Sequence, residues 1–177
     1  MTVSSVFWFT GLSGVGKSTI AEAAKSKLEL IGQKVLVLDG DDVRRILHKN
    51  LGFSERDIEE NNRFISELCE RHRQEYDIIL VPIISPYRRS RDNAQKKLGI
   101  GFYEIFVKAD LETLSKRDTK GLYRQAKIGA IDNLIGVSKN NKYESPENPD
   151  LIIDTVNFSA EESTRILVDF VFNKINK

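Results

Sequence analysis

Eight consecutive residues, Gly11-Leu12-Ser13-Gly14-Val15-Gly16-Lys17-Ser18, constrain this chain more than any others, because they match G-x-x-x-x-G-K-[ST]. They follow the apolar run Val6–Thr10, which reads as a strand, and they open a stretch from Lys17 to about Leu30 that reads as a helix. That strand–loop–helix context turns the pattern into a phosphate-binding loop. Its glycines let successive backbone N–H groups turn inward around phosphate oxygens, and the helix N-terminus adds a favourable dipole. Lys17 then reaches the outer phosphates and the Ser18 hydroxyl is placed to ligate Mg²⁺. The expected ligand is a nucleoside triphosphate, contacted by Gly11, Leu12, Ser13, Gly14, Val15, Gly16, Lys17, Ser18 and Thr19. An incidental glycine-rich turn is the alternative, and the full match with its flanking elements weighs against it.

Four more short runs rich in Val, Ile and Phe follow the first: Lys34–Asp39, Tyr76–Ile84, Phe102–Val107 and Leu151–Asp154. Helices are expected over Asp41–His48, Glu55–Gln74, Arg88–Lys97, Leu111–Arg117, Leu122–Ile128 and Ala160–Ile175, the last opened by a Ser159/Glu162 capping box. Five buried strands separated by helices predict an α/β protein with a parallel sheet. Residues 129–149 are polar, with no convincing regular element, and read as a loop beside a site. At 177 residues, without repeats or a linker, a single domain spanning 1–177 is expected.

Composition removes several classes. The 27 Lys and Arg against 26 Asp and Glu leave a formal charge of +1, which argues against a globally basic nucleic-acid binder or a polybasic membrane protein. No apolar run approaches the roughly 20 residues that span a bilayer. One cysteine, Cys69, and two histidines, His48 and His72, leave no intrachain disulfide and little for a zinc site. Met1 to Thr10 has no Lys or Arg ahead of its apolar stretch, unlike a signal or transit peptide, so a cytoplasmic protein is expected.

Guanine-specific enzymes read their base with Asn-Lys-x-Asp, and no Asn-Lys pair here continues that way. Large ATPases end a strand in a Mg²⁺-holding Asp, whereas Tyr76–Ile84 runs into Ser85. A small-molecule kinase fits better. The second strand does end in acids, Asp39-Gly40-Asp41-Asp42, followed by Arg44 and Arg45, at the sheet edge where open α/β proteins bind ligands. Asp41 is the candidate to orient Mg²⁺ or accept a hydroxyl proton, and Arg44 offers a bidentate anion fork. An acidic helix cap is the competing reading. Asn61 interrupts the apolar spacing Ile58, Ile65, Leu68, which leaves a buried structural hydrogen bond and substrate binding both open. Trp8 and Cys69 read as core, His48 and His72 as surface or helix-end residues.

The chain resembles the adenylylsulfate (APS) kinase family through Gly11–Thr19, Leu38-Asp39-Gly40-Asp41, Leu51-Gly52-Phe53-Ser54, Glu60-Asn61, Ile84-Ser85-Pro86-Tyr87-Arg88, Lys120-Gly121-Leu122-Tyr123 and Pro146-Glu147-Asn148-Pro149. These motifs span nearly the whole chain in family order. The resemblance implies a P-loop nucleotide-kinase-like three-layer sandwich. It also implies Mg²⁺-dependent transfer of the ATP γ-phosphate to the ribose 3′-hydroxyl of adenylyl sulfate, with a homodimer possible. It makes Asp41 the base or metal-organising acid with Ser18, and Lys17 and Ser85 its catalytic companions. Arg44, Asn61 and Arg63 would take the acceptor's phosphosulfate and Phe53 its base. Asp39, Ile84, Leu122 and Leu134 would complete the acceptor site. Arg117 on ATP and Lys120 on the acceptor would begin a lid and acceptor loop over about 117–149.

Two segments, 60–64 and 134–144, depart from the family pattern. Phe64 follows Arg63 where a second arginine is usual, and Leu134 stands where an aromatic ring is usual on the second face of the acceptor base. A lost stacking partner costs on the order of 1–3 kcal/mol. A second reading therefore keeps the kinase and changes the acceptor to another nucleotide with a small anionic group, such as cytidine diphosphoramidate. A third is a non-catalytic nucleotide-binding regulator, against which the intact Lys17, Ser18 and Asp41 argue.

Overall fold

The computed structural model describes residues 4–47, 51–139 and 141–176. Along the chain run β1 (Ser5–Thr10), α1 (Lys17–Leu30), β2 (Val35–Val37), α2 (Gly40–Leu47), α3 (Glu55–His72), β3 (Ile78–Val81), α4 (Arg88–Leu98), β4 (Phe102–Lys108), α5 (Leu111–Arg117), α6 (Leu122–Lys127), β5 (Leu151–Asp154) and α7 (Ala160–Ile175). The strands form one parallel sheet in the order β2-β3-β1-β4-β5, so β1 sits at its centre.

Strand alternation divides the core into two layers. Phe7 and Phe9 point to the side covered by α1 and α7, where Ile20, Leu28, Leu167 and Val171 pack against them. Val6 and Trp8 point to the side of α3 and α4, against Ile65, Cys69, Ala94 and Leu98. Trp8 and Cys69 are thus core residues as expected, and burial pushes the Cys69 thiol up to about 12, which removes it from thiolate chemistry at neutral pH. The capping box at Ser159 forms: its hydroxyl accepts from the Glu162 N–H at 3.2 Å while the Glu162 carboxylate accepts from the Ser159 N–H at 2.9 Å. His72 stands at a helix end, 3.3 Å from Glu75, and His48 lies outside the described residues.

The main departures are strand ends. The run Tyr76–Ile84 yields a strand only over Ile78–Val81 because Pro82 has no N–H to donate, and Ile83 N–H turns back to Val81 O at 3.0 Å. Likewise the expected strand Lys34–Asp39 narrows to Val35–Val37, although Leu38 N–H still reaches Leu80 O at 2.9 Å. Residues 129–149 form no regular element where described, yet Leu134 and Ile135 within them are buried.

The loop after β1 is seated by close approach. A Cβ on Gly11 would lie 2.2 Å from the Val107 carbonyl oxygen on β4, a backbone atom that cannot swing aside. Gly11→Ala is therefore expected to lower unfolding stability by on the order of 1–3 kcal/mol, read from the urea midpoint; an unchanged midpoint would show that β1 and β4 separate there without cost.

Candidate active site

A cavity of about 630 Å³ opens at the C-terminal edge of the sheet, with Ser13–Ile20 on one side and Phe53, Asn61 and Leu134 on another. α1 starts from Gly16, whose φ of +103° favours glycine, and neither a side-chain cap nor an acidic residue occupies its first turn. Its leading N–H groups and the dipole are left for an anion. Lys17 is folded back beneath them, its Nζ donating to Gly11 O and Leu12 O, each at 2.8 Å. Burial, then the charge of Lys120, pull the Lys17 ammonium down to about 7, with Asp41 and Asp39 opposing.

The two acids make different contacts. Ser18 Oγ donates to Asp39 Oδ2 at 2.5 Å, while Asp39 Oδ1 accepts from the Asp41 N–H at 2.9 Å. Asp41 itself faces Lys120, Nζ to Oδ2 3.0 Å. Asp39 stands just past β2 beside the phosphate loop, whereas Asp41 is already in the first turn of α2. A hydroxyl and a carboxylate in contact form a hard-oxygen pair, and no group of three or more His, Cys, Asp or Glu fit for a metal occurs among the described residues. That suits Mg²⁺, which takes one or two protein oxygens and completes its shell with phosphates and water.

On the other side, Arg44 donates to Leu51 O at 3.3 Å and to Gly52 O, and its guanidinium stacks 4.6 Å from the centre of the half-exposed Phe53 ring. Asn61 is buried with its Oδ1 accepting no hydrogen bond from the described protein. Its neighbour Asn62 is fully engaged: Nδ2 donates to Ile58 O at 2.7 Å and Oδ1 accepts from Ser85 Oγ at 2.7 Å. Ser85 Oγ also accepts from Trp8 Nε1 at 3.1 Å, and the residue holds a left-handed φ of +42°. Its hydroxyl is thereby engaged in both directions, donating to Asn62 and accepting from Trp8. Leu134 and Ile84 contribute apolar wall.

Arg63 is a candidate that the fold turns away from the cavity. The α-helical 100° step puts Asn61 and Asn62 toward the cavity and Arg63 on the solvent face, where Glu60 holds it at 2.6 Å and Glu67 at 2.5 Å. Gly11 and Leu12 also stand behind the wall and meet Lys17 through their carbonyls.

Beyond β4, Arg117 lines the cavity and donates Nη2 to Thr155 O at 2.6 Å. The segment carrying Lys120 and Leu122 leans on the phosphate loop through Tyr123 OH to Ser13 O at 2.8 Å, and burial and Asp118 push that phenol up to about 12. Asp118 caps α6 by accepting from the N–H groups of Tyr123 and Arg124, both at 3.0 Å. Sequence reasoning missed Asn62, Ile135, Thr155 and Phe158 as cavity or cavity-supporting residues. Asn62 was within reach, since it stands four residues after Ile58 and three before Ile65. Thr155 directly follows a parallel strand, the ligand edge of such sheets.

A phosphate loop on a parallel sheet, with an acid-and-arginine chamber opposite, defines a P-loop phosphotransferase. The sequence profile of adenylylsulphate kinase matches residues 3–154, and the chain belongs to that family. It is 46% identical over 173 residues to the adenylyl-sulfate kinase of Bacillus velezensis, covering 97% of this chain and 87% of that protein. It is 44% identical over 153 residues to a probable adenylyl-sulfate kinase of Archaeoglobus fulgidus, covering 86% of this chain and 97% of that protein. The APS kinase of Mycobacterium tuberculosis, solved in complex with AMPPNP and APS, superposes with a TM-score of 0.91 at 36% identity, covering 97% of this chain and 99% of that one. Among the described residues no helix is long and apolar enough to cross a membrane.

The low proton affinity of Lys17 sets a linkage. With the ammonium pulled down to about 7, the amine is expected to be mostly neutral at pH 8 in the free protein, and arriving phosphates to favour the ammonium. ATP binding at pH 8 is expected to take up close to one proton, and affinity to weaken as pH rises above about 7. Calorimetry in buffers of differing ionisation enthalpy measures the uptake; a Lys17→Met variant retaining the same uptake would assign it elsewhere.

Proposed function

We propose that this chain transfers the γ-phosphoryl group of ATP to the ribose 3′-hydroxyl of adenylyl sulfate, giving ADP and 3′-phosphoadenylyl sulfate. The observation that carries the reading is the single cavity that joins the phosphate loop to a chamber with a flat ring, an arginine and a buried unpaired amide oxygen. Family membership and the relatives' activity support the choice of acceptor. The M. tuberculosis enzyme, of the same fold and solved with AMPPNP and APS, supports two nucleotides sharing such a cavity.

In this reading the N–H groups of residues 13–19 and the recharged Lys17 hold the triphosphate, and Arg117 lies on the nucleotide side. Ser18 and Asp39 would hold Mg²⁺, which when bound neutralises charge on the transferred group. Asp41 accepts the proton of the 3′-hydroxyl as its oxygen forms the new bond to phosphorus and the bond from phosphorus to the ADP oxygen breaks. Lys120 leaves Asp41 to pair with an anionic ligand. Arg44, Phe53, Asn61, Leu122 and Leu134 surround the acceptor, and Ser85 fixes the backbone beside it. The segment around 117–149 acts as lid and acceptor wall that excludes water competing for the phosphoryl group.

ADP release is the test, with Mg²⁺-ATP and either adenylyl sulfate or cytidine diphosphoramidate at several low concentrations. Selective turnover of adenylyl sulfate is expected, with kcat reduced about 10²–10⁴-fold by Asp41→Ala. Preference for the cytidine compound would reassign the acceptor, and ATP binding without turnover of either would overturn the kinase reading.

A further inference from the structure

Arg91 has no place in the chemistry above and lies outside the cavity wall, yet it is only 3% exposed. It projects from α4 and forms an ion pair through Nε with Glu104 of β4 at 2.5 Å. Its two terminal nitrogens go to backbone carbonyls in separate segments: Nη1 donates to Ser85 O and Nη2 to Glu144 O, both at 2.7 Å. A guanidinium is a rigid planar fork, so one side chain fixes the spacing of those two carbonyls.

The Ser85 carbonyl belongs to a turn that lines the cavity, and the Glu144 carbonyl to the segment that follows the wall at Asn133, Leu134 and Ile135. Ser85 stands between Ile84 and Pro86, which line the cavity beside it. Glu144 is stapled to the same turn, its N–H donating to Pro86 O at 2.9 Å and its carboxylate accepting from the Arg88 N–H at 2.8 Å, where α4 lacks a side-chain cap of its own. Next to it Tyr143 places its hydroxyl 2.8 Å from Thr10 Oγ1. Upstream, Asn141 accepts from the Gly136 N–H at 2.7 Å and donates its side-chain amide to Asn133 O at 2.8 Å, bracketing the cavity residues Leu134 and Ile135.

We propose that Arg91 is a positioning residue of this enzyme, which sets the separation of the two acceptor walls by holding the Ser85 and Glu144 carbonyls on one guanidinium, with Glu104 balancing its charge. The proposal rests on the reading that this half of the cavity takes the acceptor. A purely stabilising Arg91 would affect both substrates through the fold; a positioning one acts on the acceptor alone.

Removing Arg91 by itself strands a buried carboxylate, so the deciding variant is the double Arg91→Met/Glu104→Met, which takes out both charges together. It is expected to raise the KM for adenylyl sulfate about tenfold or more while the KM for ATP stays within about twofold. Arg91→Lys, which keeps a charge for Glu104 and loses the fork, is expected to fall between the two. Amide hydrogen exchange without substrate gives an independent readout: faster exchange at 133–136 and 143–145, unchanged exchange at 12–18. An acceptor KM within about twofold of the parent in a folded double variant overturns the proposal. So does a parallel rise in both KM values, or unaltered exchange at 133–136. If the double variant does not fold, Arg91→Lys decides by the same three criteria. If the parent enzyme ignores adenylyl sulfate, the functional reading fails, and the exchange comparison still decides whether Arg91 holds the walls.

Discussion

The backbone at Ser85 is where the two halves of the site are tied together. Its φ of +42° is a conformation that costs a non-glycine residue on the order of 1–3 kcal/mol and persists only where the surroundings over-determine it. Here they do. The Ser85 carbonyl accepts from Thr10 Oγ1 at 3.1 Å and from Arg91, and the hydroxyl links Trp8 of β1 to Asn62 of α3. One residue earlier, the Ile84 carbonyl accepts from Thr10 Oγ1 at 2.9 Å and from the Gly11 N–H at 3.3 Å. The phosphate loop after β1 and the turn after β3 are thereby locked edge to edge. Phosphoryl transfer asks mainly for positioning and charge stabilisation, so a fixed distance between donor and acceptor platforms is the part of catalysis that a rigid fold supplies before any ligand arrives.

Charge across the cavity is arranged to be exchanged rather than created. Lys17 and Lys120 face Asp39 and Asp41, with Lys17 desolvated against two carbonyls and Lys120 on Asp41. The second lysine is the largest influence after burial in lowering Lys17's proton affinity. In the proposed mechanism, phosphates entering this space would attract both lysines, favour the Lys17 ammonium and release the Asp41 carboxylate toward a hydroxyl. The Lys120–Asp41 contact would thus occupy Asp41 until an anion competes for its partner.

What the sequence disclosed, and what it did not, follows from the range of the interactions involved. The phosphate loop, the Ser159 cap and the helix Leu111–Arg117 were legible because their chemistry is local: a glycine, a hydroxyl or a carboxylate acts within a turn of its own position. Strand ends were less so, since Pro82 and the turn at Ser85 cut β3 shorter than its apolar run. Helical phase explains Arg63, whose neighbours in the motif face inward while it faces water. Which of Asp39 and Asp41 meets Ser18 depends on where β2 stops and α2 starts, a matter of a few residues. Arg91 was invisible because its partners come from three segments that only the folded sheet brings together.

The acceptor chamber also bears on the absent ring at position 134. Leu134 is buried and packs into the same apolar cluster as Val15 and Ile20, so it forms part of a wall instead of a movable clamp. Across the cavity stands the flat Phe53 ring, with the Arg44 guanidinium stacked on it. Asn61 keeps a buried oxygen without a donor, which costs about 1–3 kcal/mol unless an occupant supplies one. An occupant with a flat ring for Phe53, a donor for Asn61 and an anionic end for Arg44 is a nucleotide rather than a simple oxyanion. Under the proposed function, the exocyclic amines of adenine and cytosine would both satisfy the donor requirement, so selection between them would fall to the width between Phe53 and the Leu134–Ile135 wall. That width is the dimension that the anchoring of 141–144 controls.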